Sequence, residues 1–226
     1  VPELPGWEIA ARLQPARETS GDFYDLIPLP GGQLGVVIAD VTDKGLAAAL
    51  SMTLTRTLLR TYAADYPGRP DLALRAVNER LLADSDSVLF VTLFYGILDP
   101  ERGTLAYCNA GHPPPYLIQG AGGEVQAEPL SGRGIALGVV PDPGWEHTIL
   151  KVPRGGLLLL YTDGVPDALG PTGERFGVAR MVDLLRELAG RPAGEVEERL
   201  LGELQQFAGS LHQFDDITIV AVRREA

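Results

Sequence analysis

Four aspartates, spread over most of the chain, each stand where an apolar, strand-like run meets a turn. They are Asp22 in Ser20-Gly21-Asp22-Phe23-Tyr24-Asp25, Asp40 in Ile38-Ala39-Asp40-Val41, Asp163 in Tyr161-Thr162-Asp163-Gly164, and Asp215 in Phe214-Asp215-Asp216-Ile217-Thr218. A carboxylate at the edge of a core must be paired, hydrogen-bonded or bound to a metal, because an isolated buried charge is expensive. A fold that gathers four such strand ends makes an oxygen-rich cage, which suits hard divalent cations such as Mg²⁺ or Mn²⁺.

The rest of the sequence narrows the setting. A chain of 226 residues, 45% of them hydrophobic, is large enough for one packed α/β or α+β domain. The net charge of −11 argues against a nucleic-acid surface and against attachment to anionic lipid. Cys108 is the single cysteine, so neither a disulfide framework nor a cysteine zinc site can form, which fits a cytoplasmic setting. The apolar run Gly156 to Tyr161 is far too short to span a bilayer. The start at Val1-Pro2-Glu3 carries no signal-peptide pattern and no initiator Met, and leads us to expect a C-terminal piece of a longer regulatory protein.

Turn signals divide the chain into short elements. Strands are expected at Trp7 to Gln14, at Phe23 to Pro28 paired with Gln33 to Val41, and at Val88 to Leu98, Thr104 to Cys108 and Pro115 to Gln119. His147 to Val152 and Leu157 to Tyr161 are expected to pair around Pro153-Arg154-Gly155-Gly156, and Asp216 to Arg223 forms the last strand. Helices are expected at Leu46 to Ala64, after a cap at Asp71, at Val178 to Leu188 and at Ala193 to Ala208. The helices come in two adjacent pairs rather than alternating with strands. The expected class is therefore α+β: two mostly antiparallel sheets flanked by helix pairs, a four-layer αββα sandwich in one domain over 1–226.

Two divalent cations would offset the charge of four aspartates and leave a site able to accept a phosphate. In two-metal sites a shared water is acidified enough to attack phosphorus in line.

The four segments, in this order, resemble the metal-dependent protein Ser/Thr phosphatases, in particular the bacterial branch typified by stage II sporulation protein E. Gln14-Pro15-Ala16 with Glu18 and Gly21-Asp22-Phe23-Tyr24-Asp25 is similar to the opening motif of that family, and Asp40-Val41-Thr42-Asp43-Lys44-Gly45 with Ala47-Ala48-Ala49-Leu50 to its second. Phe90-Val91-Thr92-Leu93-Phe94, Asn109-Ala110-Gly111-His112-Pro113-Pro114, Tyr161-Thr162-Asp163-Gly164-Val165 and Asp215-Asp216-Ile217-Thr218 complete the set. The resemblance implies a phosphatase acting on phosphoserine or phosphothreonine of a regulatory protein of the anti-anti-sigma type, with two Mn²⁺ or Mg²⁺ ions. Asp40 would bridge the ions and Val41 lend its carbonyl; Asp163 and Asp215 would hold the first ion and Asp22 the second, directly or through water. Asp40 and Asp163 would carry catalysis through the water the ions activate. Asp216, beside Asp215, can replace or support it. Arg17, five residues before Asp22, stands at the spacing of a phosphate-gripping arginine in eukaryotic relatives, whereas Gly21 replaces their metal-binding Glu. The helix starting at Gly45 would transmit the state of a sensor domain or activating partner, with Met52 and Leu54 as the core positions to test. A homodimer is compatible with this organisation.

Simpler readings compete. Asp25, Asp43 and Asp99 read as turn formers, His112 as a structural turn residue, and His147 and His212 as surface residues. Ser20 and Ser131 lack a nucleophile elbow. A non-catalytic phosphoprotein-binding module of the same fold is the main alternative, and a structural Ca²⁺ domain the weaker one.

Overall fold

The computed structural model describes residues 1–42, 45–84, 89–120, 125–132 and 134–226. Asp43, Lys44 and Val88, which figured in the sequence reading, lie outside the described residues. The chain divides into two compact units. The first comprises Val1–Arg17, Pro115–Leu130 and Val152–Ala226, and the second Glu18–Pro114 and Ser131–Lys151.

The second unit contains strands β2 (Asp22–Pro28), β3 (Leu34–Val41), β4 (Val91–Asp99), β5 (Thr104–Ala110) and β8 (Thr148–Lys151), in that spatial order and all antiparallel. Helices α1 (Leu46–Ala63) and α2 (Pro70–Asp84) cover one face. Val37, Ala39, Tyr95, Ile97 and Cys108 form that face, and Leu59, Ala63, Leu74 and Val77 meet them from the helices. The residues between them in sequence, such as Val36, Ile38 and Phe94, are also buried. A strand buried on both sides shows no apolar–polar alternation, which is why Leu34 to Ala39 reads as one apolar run.

The first unit repeats the plan. Its sheet runs β1 (Trp7–Gln14), β10 (Ile217–Arg224), β9 (Leu157–Tyr161), β6 (Tyr116–Gln119) and β7 (Gln126–Pro129), again all antiparallel. Helices α3 (Val178–Glu187) and α4 (Ala193–Ala208) bury Met181, Leu185, Val196, Leu200 and Leu204 against Leu159, Tyr161, Ile219 and Ala221. The helical spacing of Val196, Leu200 and Leu204 is thus a core-facing stripe.

Several expectations need correction. The segments expected to pair around Pro153–Gly156 do not form a hairpin: β8 pairs with β5, whereas β9 pairs with β10 and β6. The intervening turn bonds to the end of β10 instead, with Gly155 N–H donating to Arg224 O and Arg224 N–H to Gly156 O. Strand β7 escaped notice because it is short, polar and ends in Pro129, as an edge strand can. Asp71 does not cap α2, which starts at Pro70; its carboxylate takes hydrogen bonds from Arg69 and lies 3.0 Å from His147 Nδ1. His147 is therefore half-buried and in polar contact with the Asp71 carboxylate rather than a free surface residue. Burial would push the Asp71 carboxyl up, but the Arg69 hydrogen bonds, then the charges of Arg69 and His147, hold it below its ordinary range.

Candidate metal and catalytic site

Strand register fixes the first pair of acids. Asp22, the first residue of β2, lies directly opposite Asp40 near the end of β3. Asp22 is only 3% exposed. Like charges facing one another across a ladder repel, and burial of one of them raises that cost. Ser20 steadies the approach: its hydroxyl accepts from Asp22 N–H at 3.0 Å. Val41 N–H donates to Gly21 O at 3.3 Å, which ties the β3 end back to the residue before Asp22.

A polar row continues across the same sheet. Thr92 of β4 is the ladder partner of Asp40, and its hydroxyl donates to the Asp40 carbonyl at 3.4 Å. The same hydroxyl is 3.1 Å from His112 Nδ1. His112 is buried, and Asn109 brackets its backbone, accepting from His112 N–H and donating to His112 O. The turn reading of His112 holds, with an added link through Thr92 to the Asp40 strand.

The second pair of acids belongs to the first unit and is placed by turns. Beyond the last β9–β10 pair, Tyr161 with Ile219, the buried threonines Thr162 and Thr218 extend the ladder. Thr162 N–H donates to Thr218 O at 3.1 Å, and Thr218 N–H donates to Thr162 Oγ1 at 3.0 Å. Asp163 and Asp215 follow on either side of this zip, Asp163 exposed and Asp215 half-buried. Gly164 is needed here for space rather than for its backbone angle: a Cβ on it would lie 1.9 Å from Asp216 O. Asp216 itself is buried, and its Oδ1 accepts from Ala16 N–H at 2.7 Å. That bond pins the chain after β1, so at least one oxygen of Asp216 is in structural use. Gln213 braces the same turn, donating to Asp215 O and Gln14 O at 2.7 Å. A cleft of about 230 Å³ opens beside Asp215, floored by Leu201, Leu204 and Ile217 and edged by Gln14 and His212.

Each unit thus gathers two of the four acids. Among the described residues, no three His, Cys, Asp or Glu side chains are drawn together closely enough to hold an ion unaided. The donors are hard oxygens throughout, a set that fits Mg²⁺ or Mn²⁺ and excludes a soft-metal site.

The remaining residues fall into place individually. Arg17 is exposed beyond the end of β1. Gly45 precedes α1 with φ of 92°, in the region that favours glycine. Met52 packs partly buried against the core, whereas Leu54 is exposed rather than a core position. Leu46, Leu50 and Leu54 form an exposed stripe, so α1 is buried on one side only. Asp99 is a turn former, its carboxylate accepting from Arg102 N–H. Asp25 is not: it sits inside β2, buried, with Arg56 and Arg60 donating to it. Only its place in an alternating strand, one face of which meets a helix, could have exposed this role. Cys108 is buried, and burial first, with the nearby Asp71 charge, pushes its thiol up to about 12, so it is an inert core residue.

Comparison with known proteins matches this arrangement along the chain. The family described as stage II sporulation protein E (SpoIIE) matches residues 30–225. Protein IcfG of Synechocystis is 35% identical over 99% of this chain and 39% of its own length. Phosphoserine phosphatase RsbU of Bacillus subtilis is 27% identical over 100% of this chain and 65% of its own length. The chain therefore spans less than two thirds of the length of these relatives. The solved RsbU and RsbW domains of a Mycobacterium tuberculosis protein superpose with a TM-score of 0.83 at 30% identity, covering 99% of this chain and 61% of that one. The α+β fold of two antiparallel sheets and, among the described residues, four α-helices is shared with that solved structure, and the chain belongs to the stage II sporulation protein E family.

Proposed function

We propose that this chain is a metal-dependent phosphoprotein phosphatase domain that hydrolyses phosphoserine or phosphothreonine on a regulatory protein, an anti-anti-sigma-type factor being the best candidate. The observation that carries this is the in-register pair Asp22 and Asp40, which sets two hard-oxygen donors suited to Mg²⁺ or Mn²⁺ opposite one another on neighbouring strands. The similarity to a phosphoserine phosphatase over the whole chain supports the reaction class.

Asp40, with the Val41 carbonyl, Asp163 and Asp215 would hold the first of two Mn²⁺ or Mg²⁺ ions, and Asp40 with Asp22 the second. When bound, such ions polarise the phosphoryl oxygens and acidify water for in-line attack. The chain supplies the rest. Asp22 and Asp40 are held opposite one another by the β2–β3 ladder, so their spacing does not drift. The Thr162–Thr218 zip and the close approach at Gly164 hold Asp163 and Asp215 at the end of β9 and β10. Thr92 and His112 brace the Asp40 main chain. Asp216 supports the Asp215 turn through Ala16, and Arg17, exposed after β1, is assigned to phosphate capture.

Because the chain covers only part of its relatives, an adjoining sensor region or activating partner is expected to act through α1, whose apolar stripe at Leu46, Leu50 and Leu54 is exposed. Among the described residues no helix is long and apolar enough to cross a membrane. A cytoplasmic setting agrees with a regulatory phosphoprotein substrate and a single thiol.

The test is phosphate release from a phosphoserine protein with Mn²⁺, with Mg²⁺ and with chelator. Turnover that requires the ion supports the reading. Tight phosphoprotein binding with no turnover under any ion would replace it by the binding-module alternative.

A further inference from the structure

We infer that Asp25, gripped by Arg56 and Arg60, is a positioning residue that sets the metal affinity of the Asp22–Asp40 pair by fixing α1 against β2. The inference rests on the phosphatase reading above.

Asp25 lies three residues after Asp22 on β2, so the two side chains leave opposite faces of the strand. Asp25 lies on the helix-covered face, in the row that runs through Val37, Tyr95 and Cys108. It is 4% exposed. Arg56 and Arg60, one helical turn apart on α1, each grip it with two nitrogens. Arg60 donates from Nε to Oδ2 at 2.5 Å and from its terminal nitrogen to Oδ1 at 2.6 Å; the Arg56 bonds are 3.1 and 3.3 Å. These four arginine donors, with Leu26 N–H on Oδ1 at 3.0 Å, saturate the carboxylate, and the arginines fix both the rotation and the height of the helix.

Among the described residues, no other buried polar side chain of α1 does so. The buried residues of α1 are Ala48, Thr55, Leu59 and Ala63. The Thr55 hydroxyl is buried without a hydrogen-bond partner, and so is the Tyr95 hydroxyl in the Asp25 row. Apolar packing tolerates small slides, and two unpaired hydroxyls do not resist one. The Arg–Asp grip is what selects one seat for the helix.

The consequence reaches the acids by a short route. From Asp25 the β2 backbone leads to Asp22, which faces Asp40 in register. From Asp40 the chain passes Val41 and Gly45 into α1, whose first turn is closed by Ala49 N–H donating to Gly45 O at 3.1 Å. Arg56 and Arg60 then return to Asp25. A displacement of α1 is thereby carried through Asp25 into β2, the strand that sets Asp22 opposite Asp40. Partners that orient metal ligands typically change affinity about 10- to 100-fold when removed.

The experiment compares Mn²⁺ affinity by titration calorimetry, and kcat against Mn²⁺ concentration, for wild type, Asp25→Asn, the double variant Arg56→Met/Arg60→Met, and Arg60→Lys. The half-exposed arginines can be replaced without opening the core, so the double variant carries the test if Asp25→Asn does not fold. The expected result is Mn²⁺ affinity weakened about 10-fold or more with kcat at saturating Mn²⁺ changed less than about threefold, and partial recovery in Arg60→Lys, which keeps charge but loses the fork. Wild-type Mn²⁺ affinity in the double variant, with only a lowered melting temperature, overturns the inference and leaves the phosphatase reading standing. A wild-type protein that binds no Mn²⁺ overturns both.

Discussion

The two pairs of acids are built by different means. Asp22 and Asp40 sit inside a β-ladder, opposite one another, with Asp22 buried and its neighbour Asp25 locked to a helix. Asp163 and Asp215 sit past the ends of their strands, in turns braced by Thr162, Thr218, Gln213 and the tight passage at Gly164. The ladder pair is set by strand register and holds the more buried acid; the turn pair is more exposed and depends on a few close backbone contacts.

The largest effect expected tests whether both pairs serve one reaction. Asp40→Asn and Asp163→Asn should each lower phosphate release by about a thousandfold, roughly 4 kcal/mol of barrier, while circular dichroism stays native. If one variant keeps most of its activity, the two pairs do not share a site.

Next is the vulnerability of the turn pair to crowding. Gly164→Ala places a methyl where Asp216 O already sits, so something must shift. A loss of roughly 1–3 kcal/mol in urea unfolding is expected, accompanied by lost turnover. A stable, active variant would mean that the passage at Gly164 does not set the Asp215 turn.

The ladder side carries the clearer dependence on pH. Burial pushes the Asp25 carboxyl up, but the hydrogen bonds and charges of Arg60 and Arg56 outweigh it and hold the group below its ordinary value of 3.8. A depressed folded value means stability that is fully present above the ordinary value and lost as pH falls through the lower, folded one. Urea midpoints measured from pH 6 downward should therefore fall in acid, and Asp25→Asn should start lower and show less of that fall. Parallel curves for the two proteins would remove Asp25 from the account.

The smallest effect separates the pairs most directly. Without metal, Asp22→Asn should stabilise the fold by up to about 1 kcal/mol, because it removes a like charge facing Asp40. Asp163→Asn, at an exposed turn, should change it by less than about 0.5 kcal/mol. Both should reduce the rise in melting temperature on adding Mn²⁺. A destabilised Asp22→Asn in the metal-free state would show that the buried carboxylate is satisfied without an ion.

Much of this was legible before any coordinates. Apolar runs, helical spacing and turn residues located most strands and all four helices, because each signal is local and repeats with the period of its element. The four acids could be singled out because a charge beside an apolar run needs an explanation. Which β-strand partners which was less legible: Leu157 to Tyr161 reads equally well beside His147 to Val152 as beside β10, and the sequence around Pro153 does not choose. Asp25 went unrecognised for the same reason. Its partners lie 31 and 35 residues away on a helix, and nothing within β2 announces them.

The order of residues therefore gave most of the elements, the four acids on which the proposed site draws, and the family, since these rest on local periodicity and on short motifs. Folding in three dimensions settled the register that sets Asp22 against Asp40, the close passage at Gly164 and the grip of Arg56 and Arg60 on Asp25. Those depend on contacts between segments far apart in the chain, whose energies exist only once the intervening residues have been packed.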